Sequence, residues 1–213
     1  MPAPSAPTHA HRPSVPTAEL APDLDGRPGE PARSTLPRWV ARCQHCGAAA
    51  PDLAARPATA AATIQNPAYI AEPDDFLRWS QICQDADQAG DAAEAILQAA
   101  WRAEDQNRDA APLRRRAAAL WQGDPLRQID ILRRAGAFEA AQALTDDMKN
   151  LDEASASILA FQRARIAASD PARYAISSAL RPPARSPQVT HTQKPAPNLL
   201  ARLFRRKNQT SNS

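Results

Sequence analysis

Between Pro73 and Leu180 the sequence contains no valine and a single threonine, Thr145. Strands draw on β-branched and aromatic residues, so a span this poor in them has little from which to build a sheet. Its punctuation is that of helices. Asp124-Pro125 and Asp170-Pro171 each set an N-cap aspartate before a proline at the first helical position, where the missing N–H costs nothing. Pro73-Asp74 opens the first helix in a similar way. The glycines of the span, Gly90, Gly123 and Gly136, stand where helices are expected to stop. Together these signals predict helices over about 74–89, 91–106, 110–122, 125–135, 137–149, 152–169 and 171–180. Apolar spacing supports them. Phe76, Trp79, Cys83 and Ala86 make one stripe, while Ala92, Ala95, Ala99 and Ala103 make a smooth face for close helix approach. Leu126, Ile129 and Leu132 line the fourth helix, Phe138, Ala141, Leu144 and Met148 the fifth, and Ile158 and Phe161 the sixth. The expected fold class is all-α, as stacked helical hairpins.

Proline divides the chain. Of its 21 prolines, twelve precede Pro73 and five follow Leu180. Residues 73–180 are therefore expected to form an autonomous helical domain between proline-rich flanks. Residues 1–36 read as a disordered Pro/Ala-rich arm, 37–50 as a small knuckle-like segment and 51–72 as a linker. Residues 181–213 read as a basic disordered tail. Met1 to Pro13 lacks the apolar run of a secretory signal, and no stretch approaches the roughly 18 apolar residues of a membrane span. A cytoplasmic location is the expectation.

The chemically pointed segment is Cys43-Gln44-His45-Cys46-Gly47, entered by the short β-prone run Trp39-Val40-Ala41-Arg42. Two thiolates brought round one tight turn can bind one metal, and glycine after the second cysteine lets backbone N–H groups face the sulfurs. Zinc is the implied ion. No second ligand pair follows at close spacing, so three readings stand open: an idle knuckle, a metal site completed by His45, a distant residue or a second chain, and a redox dithiol. Cys83, on the inward stripe of the first helix, reads as a buried inert thiol. His9 and His11 read as solvated, as does the charge run Arg114-Arg115-Arg116.

Charge is uneven along the chain. From Arg181 onward stand seven basic residues and no acidic one; removing those seven charges from the formal net of +3 leaves −4 for residues 1–180. Such a body is a poor nucleic-acid surface. Within the tail a short amphipathic helix is predicted over 198–207. Leu199, Leu200, Leu203 and Phe204 form its apolar side and Arg202, Arg205, Arg206 and Lys207 its basic side. This pattern suits weak, salt-sensitive contact with an anionic membrane or a partner's groove.

The segment from Trp79 to Asn107 resembles a tetratricopeptide repeat. Trp79 and Ile82 match its first helix, Cys83 the small residue after it, Gly90 the turn and Ala95 the contact residue of the second helix. A later unit matches at Gly136, Phe138 and Ala141; Ala86, Ala99 and Arg102 depart from the pattern. The cysteine segment resembles the first half of a zinc ribbon. A zinc-ribbon-like head on such helices resembles bacterial proteins of cytoplasmic location. The resemblance implies a concave helical surface for a peptide or helix of a protein partner. All four histidines (His9, His11, His45 and His191) fall outside the helical span, and no phosphate loop, nucleophile elbow or His-Glu-x-x-His is present. The reading is a non-enzymatic interaction scaffold. The alternative is a zinc- or redox-dependent regulator in which Cys43 and Cys46 control assembly, most simply a homodimer through a shared metal site.

Overall fold

The computed structural model describes residues 20–180. They are mostly helical. A 3-10 helix, Arg33–Arg38, leads into a hairpin of β1 (Ala41–Arg42) and β2 (Ala49–Ala50). Nine α-helices follow: α1 (Ala60–Thr63), α2 (Pro67–Ala71), α3 (Asp75–Asp85), α4 (Ala89–Asp105), α5 (Ala111–Leu120), α6 (Pro125–Arg134), α7 (Phe138–Asp147), α8 (Glu153–Ala167) and α9 (Ile176–Leu180). From α3 to α9 each helix packs on its successor in sequence, and α6 also packs on α8.

The expected caps are present. Asp74 accepts from the amides of Phe76 and Leu77, Asp124 from Leu126 and Asp152 from Ser155. Gly136 ends α6 as expected, but the first stop is made differently. Gly90 lies inside α4, and α3 is ended by Asp87 in the left-handed region (φ 56°), with the Gln88 amide donating to Cys83 O at 2.9 Å. The same device recurs at Asn107, Gly136 and Ser169, where the next residue's amide bonds back to Ala103, Leu132 and Arg165. Asn and Asp tolerate this conformation because their short polar side chains bond locally. Pro171 likewise starts no helix. Residues 171–175 are instead tied to the N-terminal segment: Asp23 bridges Ala175, and the Leu24 amide donates to Tyr174 O at 3.0 Å.

Two apolar clusters fill the interior. One surrounds Trp101 with Phe76, Ile96, Leu97, Ala99, Ala117 and Ile131; the other surrounds Ile129 with Leu126, Ala141, Ile158, Leu159 and Ile166. Leu36, Val40 and Ala49 belong to the first and Leu24 to the second. Residues 20–36, expected as part of a disordered arm, are thus a strap over both clusters. Composition misjudged them because their charged residues are not solvated: Asp23, Asp25 and Arg27 are all buried. The expected linker is ordered for a similar reason, since it carries α1, α2 and the fully buried Tyr69. The helices of 73–180 therefore do not close their own core. Residues 1–19 and the tail from Arg181, with its predicted helix 198–207, lie outside the described residues.

Candidate functional site

Ala41 faces Ala50 and Arg42 faces Ala49 across the antiparallel hairpin, so the turn between the strands is Cys43 to Ala48. The Cys43 amide donates to Ala48 O at 2.8 Å, and the Gly47 amide donates to Cys43 O at 2.9 Å. Gly47 sits at φ +73°, a backbone conformation that side-chain-bearing residues rarely adopt. This tight turn leaves Gln44 and His45 exposed at its tip and both cysteines half-buried at its sides. The Cys43 thiol pKa is lowered, chiefly by the amides of Cys46 and His45 and then by the Cys46 thiol. Arg56 adds a smaller pull in the same direction.

The turn is bolted to the body by the expected linker and α3. The Tyr69 hydroxyl accepts from the Ala49 amide at 2.8 Å and donates to Gly47 O at 3.2 Å. Arg78, buried on α3, donates to Gly47 O, Ile70 O and Glu72 O, and its guanidinium lies 5.1 Å from the Tyr69 ring centroid. Arg42 pairs with Asp75 and donates to Pro73 O at 3.0 Å. On its outer side Cys46 borders a cleft of about 330 Å³ lined by Arg56, Ala58, Ala61 and Ile64.

Two soft donors on one tight turn are of the type that a tetrahedral zinc site uses, and such a site needs two more. Cys83 does not extend it. That thiol is fully buried, and burial, with the nearby Asp91 charge, pushes it up to about 12. Among the described residues no group of three or more His, Cys, Asp and Glu side chains is placed to hold a metal. His9, His11, His191 and the tail residues Leu199, Leu200, Arg202, Leu203, Phe204, Arg205, Arg206 and Lys207 lie outside the described residues.

The densest electrostatic feature was not expected from the sequence. Asp25, on the strap, is fully buried; its Oδ2 accepts from Trp101 Nε1 at 2.9 Å and from Arg114 and Arg134 at 2.7 Å each. Its Oδ1 accepts from the Arg27 amide at 3.2 Å. Glu104 receives the other ends of Arg114 and Arg134, and Arg27 pairs with Asp105. Burial pushes the Asp25 carboxyl up, but the charges of Arg134 and Arg114, with the hydrogen bonds of Arg114 and Trp101, hold it well below the usual carboxylate range. Arg114, read as solvated, is instead 0% exposed. One signal was available: Arg114 stands three and four residues before Ala117 and Ala118 on the buried face of α5. Every oxygen of Asp25 is engaged, so the cluster is a structural lock rather than a reactive site.

No protein-family model matches this chain, and no curated protein or solved structure matches it either.

Proposed function

We propose that this chain is a non-enzymatic helical interaction protein, built as stacked tetratricopeptide-like hairpins, whose assembly with a protein partner depends on zinc held by Cys43 and Cys46. The observation that carries the reading is the turn itself, which sets two partly exposed cysteines on either side of one tight hairpin tip. Zinc, when bound, supplies a cross-link between whatever chains donate its ligands. The protein's own part is to hold the two sulfurs at fixed separation, through Gly47, Tyr69 and Arg78. The non-enzymatic part rests on Asp25, a fully buried carboxylate whose oxygens are taken up by Arg114, Arg134, Trp101 and the Arg27 amide. Native protein purified without added metal is expected to contain zinc, measured by elemental analysis. The Cys43→Ser/Cys46→Ser double variant is expected to lose it while keeping its helical circular dichroism. A zinc-free native protein would sink the reading.

A second reading, control by oxidation of the same pair, draws on the lowered pKa of Cys43, because the thiolate is the form that attacks an oxidant or disulfide.

A further inference from the structure

We infer that the zinc site is completed by a second copy of this chain, as a tetrathiolate of Cys43 and Cys46 from each copy. The inference rests on the zinc reading above and names its partner. A structural zinc site is closed by four protein ligands. The turn supplies two sulfurs, and the full sequence contains three cysteines. The third, Cys83, is sealed in the core on the buried face of α3. One chain therefore cannot build a tetrathiolate, whereas two chains can do so without moving any buried residue.

Accessibility and charge favour this partner. The two half-buried cysteines flank an exposed tip, Gln44-His45, on a hairpin held to the body by Tyr69, Arg78 and Arg42. A two-fold axis through the metal brings the same two residues from each copy, as a self-complementary contact requires. Two thiolates neutralise a zinc ion, and four leave it with two negative charges. The exposed Arg56, which lines the same cleft as Cys46, would come from each copy and offset them. The small cleft lined by Arg56, Ala58, Ala61 and Ile64 borders Cys46 and would be partly covered by the approaching copy.

The test uses the full chain and cobalt as a spectroscopic stand-in for zinc. Expected are about half a metal ion per chain, the intense visible absorption of a tetrahedral cobalt tetrathiolate, and twice the chain mass by sedimentation. A strong chelator should return the chain mass, and so should Cys46→Ser. Cys83→Ala, which removes the cysteine not used, should change neither stoichiometry nor spectrum. One zinc per chain in a monomer, or a cobalt spectrum with fewer than four thiolates, overturns the shared site and leaves the zinc reading intact. Absence of metal overturns both. A dimer that survives the chelator and Cys46→Ser shows that the copies associate elsewhere, and this too defeats the inference.

Discussion

Asp25 and Asp130 are both fully buried and both feel Arg134, yet they are displaced in opposite directions. Asp25 uses both oxygens against cations and N–H groups. Asp130 meets Arg133 at 2.6 Å through Oδ1 alone, and its Oδ2 has no partner. Burial therefore prevails at Asp130, with the negative charge of Asp25 adding to it, and the carboxyl is pushed up to about 6 despite Arg133. The folded state then binds a proton that the unfolded chain releases between about 4 and 6, so this residue's contribution to stability falls as pH rises through that window. Asp25 works the other way: its contribution is present above the ordinary aspartate pKa and is lost only in acid. Asp130→Asn keeps the acceptor for Arg133 and removes the titration. Relative to wild type it is expected to gain on the order of 1–3 kcal/mol between pH 4 and pH 7, read from urea unfolding at several pH values. Parallel profiles for the two proteins would show that Asp130 is ionised throughout.

At the scale of elements, the hairpin and α2 stand or fall together through one hydroxyl. The Tyr69 oxygen joins the Ala49 amide to the Gly47 carbonyl, and Tyr69→Phe would leave the buried Ala49 N–H without its acceptor. The expected cost is about 1–3 kcal/mol in chemical denaturation, with faster hydrogen exchange at Ala49 and little change on α6 to α8. Uniform loss of protection would instead mean that the hairpin is not a separable element. The helices flanking it were legible where local chemistry decides them. The aspartate caps of α3, α6 and α8 and the alanine face of α4 are written in neighbouring residues. Gly90 and Pro171 misled because equivalent jobs went to Asp87, which adopts the left-handed turn, and to the strap, which claims residues 171–175. The cysteine turn was legible from its spacing and glycine. Its anchors were not, since Tyr69 and Arg78 act through tertiary contacts across an alanine-rich stretch.

The whole described molecule is closed by its strap, and no local pattern announces that. Asp25 lies 89 residues from Arg114 and 109 from Arg134, so its burial is explicable only by charges far along the chain. Removing one partner of such a buried set costs about 3–5 kcal/mol, a large part of the stability of an ordinary domain. Asp25→Ala should therefore free the strap before it unfolds the helices. Limited trypsin digestion is expected to cut after Arg33 in the variant and spare that bond in wild type; equal resistance in the two would show that apolar contacts at Leu24 and Leu36 hold the strap unaided. The same remoteness sets an order of events during synthesis. When the strap leaves the ribosome the counter-charges of Asp25 do not exist yet, and it must remain hydrated until α5 and then α6 follow. Leu24 waits longer still, for Tyr174. A segment made before the helices is thus among the last to dock, and the nascent helices must wait for it with Trp101 and its neighbours unsealed.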